Sequence, residues 1–454
     1  MAEQPQLDIL FQVLQPILLI DELMRPSADA FRRAGWLPLS QEVYDDYMKK
    51  LEKEITGPAK RMPGPGTLYD AVRSAPELLE PVKEFKDFIE TNAVVYTDVV
   101  RMFDGITEFP STYQQMLLIF NKIFRETPKF GSLGPPMSMA MARVMNTEGG
   151  FSAFTKQAFN HHVKKMLKTW ELYLSSKDST DVLDSDIGGW FSDKAIEAML
   201  KEYPNRTFEE VFICDRNAPA WGYTSYDDFF ARRLRTPDTD RPTGDIKDLT
   251  IVSAACESDL YAIQKDVQKT DELFIKDEAY SLVHLLANDE SVDSFIGGTV
   301  IQSFLSTTDY HRWHAPVNGV IKKIVEVPGT YFAQAPSTIG CPITEDDHPY
   351  LHSLTYFANT AARMLVYIQA DNASIGLMCF IAIGMSEISS CQATVFEGQH
   401  VNRGDELGMF HFGGSSSALV FNKKANIQVG SEYIEPGSHL PINAPIAVAT
   451  PPPS

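Results

Sequence analysis

Gly398-Gln399-His400-Val401-Asn402-Arg403-Gly404-Asp405-Glu406-Leu407-Gly408 is the stretch on which the fold of the C-terminal half turns. Glycines at fixed offsets supply the positive φ of tight turns, and Val401 and Leu407 are spaced to plug one interior between them. A second stretch with similar turn grammar, Ala315-Pro316-Val317-Asn318-Gly319, leads into a strand. Around both lie short β-rich runs: Thr250-Ile251-Val252, Gly319-Val320-Ile321, Met364-Leu365-Val366-Tyr367-Ile368 and residues 377–383. Gly and Pro separate them every ten to fifteen residues or so, which predicts a sheet-built unit over residues 241–454.

Working back from there, the texture changes. Residues 1–240 read as helical. Ser111 followed by Gln114 has capping-box spacing, and Met116, Ile119, Phe120, Ile123 and Phe124 then share one face. Phe159, Val163, Met166, Leu167, Trp170 and Leu174 repeat the pattern in a second helix. Pro135-Pro136 and Pro63-Gly64-Pro65-Gly66 punctuate this half as turns, and residues 236–242 read as the linker. The expected class is α+β: a helical N-terminal region, 1–240, followed by a β-rich domain, 241–454.

Composition narrows the functions open to such a chain. Forty Lys and Arg against 60 Asp and Glu leave a formal charge of −20 over 454 residues. That charge repels nucleic acid and anionic lipid, so neither is an expected partner. Five cysteines without CxxC spacing suit reduced thiols better than a disulfide framework. The greasiest N-terminal stretch, residues 7–24, is broken by Asp8, Gln12, Gln15, Pro16 and Asp21 and has no basic region before it. The apolar run 375–385 is about half what a membrane span needs and reads as a buried strand. The expectation is a cytoplasmic protein with no stable membrane anchor.

Two stretches could carry chemistry. In Gly408-Met409-Phe410-His411-Phe412-Gly413-Gly414-Ser415-Ser416-Ser417-Ala418-Leu419-Val420, a glycine pair and three serines sit between apolar strand residues. Taken alone, this reads as a flexible loop. In Asp309-Tyr310-His311-Arg312-Trp313-His314-Ala315-Pro316, two histidines three apart suit zinc ligands, general bases or satisfied core groups, and no further zinc ligand stands at a local spacing. The turn grammar is similar to the barrel-sandwich of biotinyl and lipoyl carrier domains. A carrier, however, needs a Lys at an exposed hairpin tip, and neither turn segment has one.

Together and in this order, the stretches resemble the phosphatidylserine decarboxylase family, pyruvoyl-dependent enzymes that cut themselves at a Gly-Ser bond. The resemblance runs over roughly residues 220–445. It includes Tyr226-Asp227-Asp228-Phe229-Phe230-Ala231-Arg232-Arg233-Leu234, Tyr310-His311-Arg312-Trp313-His314-Ala315-Pro316, the 398–410 strand pair, and Phe412-Gly413-Gly414-Ser415-Ser416. In the helical half, Gly131-Ser132-Leu133-Gly134-Pro135-Pro136 and Phe151-Ser152-Ala153-Phe154 are similar to a fungal branch that acts on free aromatic amino acids.

The resemblance implies cleavage between Gly414 and Ser415, leaving two associated fragments and a pyruvoyl group in place of Ser415, with no pyridoxal phosphate and no metal. The Ser415 hydroxyl attacks the carbonyl before it, an N→O acyl shift gives an ester, and β-elimination cuts the chain. The resulting ketone forms a Schiff base with a substrate amine and draws off the electrons released with carbon dioxide. His314 is the implied base for Ser415, and a carboxylate orients it. Within Ser253-Ala254-Ala255-Cys256-Glu257-Ser258-Asp259, which departs from the family pattern, Glu257 is the choice and Asp259 the alternative. His311 is expected to reprotonate the α-carbon, with His411 as a second candidate. Tyr331 and Phe332, in the 328–336 loop, are expected to wall an aromatic side chain, tryptophan first. The rivals are a phosphatidylserine decarboxylase making phosphatidylethanolamine and a non-catalytic relative.

Overall fold

The structure is a computed structural model that describes residues 26–60, 78–131, 134–270, 280–341, 343, 348–385, 387, 390–412 and 415–450. Gly414, one side of the expected scissile bond, lies outside the described residues, as do residues 7–24, the 63–66 turn, Ser132, Leu133 and Gly413.

Antiparallel pairing builds the C-terminal half from β1 (Ile251–Ser253), β2 (Ser258–Val267), β3 (Gly298–Phe304), β4 (Arg312–His314), β5 (Gly319–Val327), β6 (Arg363–Ala370) and β7 (Leu377–Gly384). They are followed by β8 (Ser390–Ala393), β9 (His400–Val401), β10 (Glu406–His411), β11 (Ser415–Phe421), β12 (Ile427–Val429), β13 (His439–Leu440) and β14 (Pro445–Ala449). An eight-stranded sheet runs β13-β2-β3-β11-β7-β6-β5-β9, and two three-stranded sheets run β4-β10-β8 and β1-β14-β12.

The turn grammar forms as predicted. Gly398 and Gly404 hold φ of +88° and +92°, and Val401 and Leu407 are fully buried. Ala315 N–H donates to the Asp405 carbonyl (2.8 Å), and Gly404 N–H donates to that of Ala315 (2.9 Å). The two turn segments therefore brace each other.

Side-chain alternation gives the large sheet two apolar faces. Leu419 and Phe421 of β11 join Ile301, Trp313, Phe380 and Phe410 in a core between the sheets. Ala418 and Val420 face the other way and merge with the helical core. The Gln157–Leu174 helix buries the six residues its periodicity picks out, from Phe159 to Leu174. The helix after Ser111 starts one residue later than its capping-box spacing implies. Thr112 is the cap of the Tyr113–Ile123 helix because its extended backbone lets its hydroxyl take the Gln115 N–H, while the Gln115 side chain accepts from Ser111 N–H.

One core crosses the boundary between the halves. The Phe31 ring stacks on Phe304 at 4.7 Å, and Trp36 Nε1 donates to the Leu305 carbonyl at 2.9 Å. The 236–242 segment includes a short helix, Pro237–Asp240, and Arg241 is tied by two hydrogen bonds to Glu257. No helix among the described residues is long and apolar enough to cross a membrane.

Candidate active site

Ser415 opens β11 opposite Gly384 of β7, and its carbonyl accepts from Leu305 N–H at 2.8 Å. It is fully buried, and its hydroxyl has no hydrogen-bond partner among the described residues. An unmade buried hydrogen bond costs about 1–3 kcal/mol, so such a group calls for a reason. The next two serines are engaged. Ser416 Oγ donates to the Ser303 carbonyl (2.7 Å) and accepts from Gln302 Nε2, and Ser417 Oγ lies 3.0 Å from Ser303 Oγ. Of the three hydroxyls, only the first lacks a partner among the described residues.

Strand register sets the two motif histidines at different depths. In the β4–β10 pair, His314 stands opposite Glu406 and Arg312 opposite Met409, while Phe410 N–H donates to the His311 carbonyl. His311 therefore sits at the end of β10 that leads toward Ser415. Phe230 links it to that segment, stacking on His311 at 3.9 Å and meeting Phe412 edge-on at 5.7 Å. His311 is fully buried with neither ring nitrogen partnered among the described residues. Burial, with Arg232 nearby, pushes its pKa well below the usual range, so the ring is neutral.

His314 is neutral as well, with burial lowering its pKa to about 4. Its Nδ1 lies 3.2 Å from Asn443 Oδ1 and its Nε2 3.2 Å from the Tyr310 hydroxyl. Asn443 Nδ2 donates to the Arg241 carbonyl (3.0 Å), which orients the amide so that Oδ1 accepts. The His314 hydrogen therefore sits on Nδ1, and Nε2 carries the lone pair.

The expected carboxylate partner is not there. Glu257 accepts from Arg241 Nη2 (2.7 Å) and Nε (2.8 Å), from His439 Nε2 (2.9 Å) and from Ile442 N–H (3.1 Å), and none of its hydrogen bonds goes to His314. Burial alone would raise its pKa, but these bonds hold it at about 2. Asp259, the alternative, pairs with His439 Nδ1 at 2.9 Å. Two nearby cations claim both carboxylates, and the place beside His314 falls to Asn443. That residue stands in a Pro-Ile-Asn-Ala turn at φ +68°, with no local motif to mark it.

A cavity of about 650 Å3 adjoins this region. Trp170, Tyr331, Phe412, His411, Asp227 and Glu387 are among its lining residues, as is Ala362, whose carbonyl accepts from Gly384, the register partner of Ser415. Tyr331 is on the wall, as expected. Phe332 is not: it turns into the helical core against Phe154, since neighbouring side chains on an extended loop diverge. Glu387 accepts from Met137 N–H, Ser138 N–H and the Ser138 hydroxyl, and burial raises its pKa to about 7. Among the described residues no group of three or more His, Cys, Asp or Glu side chains is placed to hold a metal ion.

Comparison with known proteins adds the following. Residues 226–439 match the family model for phosphatidylserine decarboxylase, and residues 79–199 match a second model of the same description. The chain is similar to the L-tryptophan decarboxylase of Psilocybe cyanescens, 52% identical over 93% of this chain and 95% of that one. It is 50% identical to the L-tryptophan decarboxylase of Psilocybe cubensis over the same shares. It is also 41% identical to decarboxylase iboD of Amanita muscaria, over 69% of this chain and 91% of that one.

Proposed function

This chain belongs to the phosphatidylserine decarboxylase family, and we propose that it is a self-processing, pyruvoyl-dependent decarboxylase of free aromatic L-amino acids, foremost L-tryptophan to tryptamine and carbon dioxide. One observation carries the reading. Ser415, whose buried hydroxyl has no hydrogen-bond partner among the described residues, opens a strand opposite Gly384, which donates to Ala362 of a cavity also lined by Trp170, Tyr331 and Phe412.

In self-processing, the Ser415 hydroxyl attacks the Gly414 carbonyl and His314 takes its proton. The lone pair on His314 Nε2 and the Nδ1 contact to Asn443 suit a base, a role that contributes about 10²–10⁴ in rate. Cleavage leaves a large chain ending at Gly414 and a small chain of residues 415–454. The small chain is held because β11 pairs with β3 on one side and β7 on the other, both in the large chain.

A pyruvoyl group in place of Ser415 supplies a ketone that takes up the substrate amine and accepts the electron pair released with carbon dioxide. The chain fits such a group, because His311 offers two ring nitrogens that have no hydrogen-bond partner among the described residues, at the Phe412 end of β10. We assign His311 to contact with the bound substrate after maturation.

Ring recognition falls to the cavity. Leu167, Trp170 and Leu174 come from the Gln157–Leu174 helix, so the helical half supplies one wall. Its volume is in the range of small-ligand sites, and each aromatic contact adds about 0.5–1.5 kcal/mol beyond area burial. The two Psilocybe relatives named L-tryptophan decarboxylase match across both halves, which favours a free amino acid over a phospholipid.

Intact mass and carbon dioxide release test the proposal together. Purified protein should be two chains, the small one starting at position 415, and should release carbon dioxide from free tryptophan. Release only from phosphatidylserine vesicles would replace the substrate, and an uncut working chain would end the reading.

A further inference from the structure

We propose that the Glu387 carboxyl is the specificity contact of the cavity, accepting the ring N–H of an indole substrate and so favouring tryptophan over aromatic amino acids whose rings carry no donor. This rests on the decarboxylase reading. A substrate amino acid is held at position 415 by its amine and loses its carboxylate in the reaction. The one hydrogen-bonding group that an indole substrate keeps away from the reacting centre is its ring N–H. A site can read that group only with a fixed acceptor.

Glu387 is such an acceptor. It lines the cavity, yet is only 5% exposed. Its Oε1 accepts from Met137 N–H (2.9 Å), and its Oε2 accepts from Ser138 N–H (3.2 Å) and the Ser138 hydroxyl (2.5 Å). Those amides are open N–H groups at the start of the Pro136–Met145 helix, so the helical half fixes the carboxyl in place. Three bonds leave a carboxylate short of its about four acceptor sites, and the deficit is on Oε1.

The charges on the wall single it out. Of the cavity's other carboxylates, Asp227 faces His411, Glu171 pairs with Lys168 and Glu326 with Lys164. Glu387 has no cationic partner among the described residues, and burial raises its pKa to about 7. One further N–H is what it can still take, and a neutral indole brings that without a second charge to strip of water. Position agrees. Glu387 follows Gly384, the register partner of Ser415, by three residues, a span of at most about 11 Å. Trp170, Tyr331 and Phe412 line the same cavity and offer their rings to the faces of the indole.

The experiment compares tryptophan with 3-benzothienylalanine, the isostere in which sulfur replaces the ring N–H. Processed wild-type enzyme should favour tryptophan about tenfold or more in kcat/KM. In Glu387→Gln, cut normally by intact mass, the ratio should shrink to about twofold, because the charged acceptor is gone. Should that variant not be cut, Glu387→Asp, which draws the carboxylate back by one methylene, takes its place with the same narrowing expected. Equal handling of the two substrates by the wild type overturns the proposal. So does a ratio that the substitution leaves unchanged, which would make Glu387 a helix cap and nothing more. Wild-type enzyme inert toward every aromatic amino acid would instead overturn the decarboxylase reading beneath it.

Discussion

Asn443 Oδ1 lies 3.2 Å from His314 Nδ1, in the place that serine-based triads commonly give to a carboxylate. A neutral amide fixes the ring and its tautomer without stabilising a positive charge on it. In the base role proposed for it, His314 is thereby a modest base. Self-processing happens once per chain, so a modest base suffices where a repeated reaction would demand more.

Asn443→Ala should slow self-cleavage about tenfold or more, followed by timed intact mass from freshly made precursor. Asn443→Asp should keep or exceed the wild-type rate. Normal cutting in Asn443→Ala, with none in Glu257→Gln, would return the orienting role to the carboxylate.

Ser415→Ala should remain one chain of full mass and release no carbon dioxide. Ser416→Ala should still be cut, because its hydroxyl is already committed to Ser303 and Gln302. Cutting in the first variant and not the second would move the scissile bond by one residue.

The motif histidines should separate by stage. His314→Ala is expected to stay uncut, and His311→Ala to be cut yet turn over at least about 100-fold more slowly. Equal loss of cutting in both variants would show that the strand register does not divide their roles.

Glu257 should matter for stability more than for chemistry. Glu257→Gln leaves Arg241 and His439 facing a neutral amide in the interior, a loss of about 3–5 kcal/mol by chemical denaturation. His439 adds a pH signature. Burial opposes its charge, but Asp259 and Glu257 raise its pKa to about 10, above the unfolded value of about 6.5. Its contribution is complete below pH 6.5 and disappears as pH climbs through 10. Wild-type stability should fall over that window, and His439→Gln should flatten the fall. A slope that survives the substitution would exclude His439 as its source.

Trp170→Leu should raise KM for tryptophan several-fold with cutting intact, since the residue walls the cavity from the helical side. Phe332→Leu should leave the preference among aromatic substrates unchanged, because that ring packs against Phe154 instead. A changed preference in the second variant would mean that the cavity extends past Tyr331.

The helix faces and the bracing turns at Gly398 and Gly404 were legible from short-range rules, an apolar period and a positive φ, whereas Ser415 stood out only through the ordered motifs that resemble the family. Tertiary structure decided which groups meet. His314 finds Asn443 across 129 residues and Glu257 finds His439 across 182, separations that no periodicity encodes. Phe332 looked equal to Tyr331 in the chain and differs only because the loop turns the two rings to opposite sides. Buried charge goes to the nearest strong counter-charge in space, and that neighbour exists only once distant strands have closed on each other.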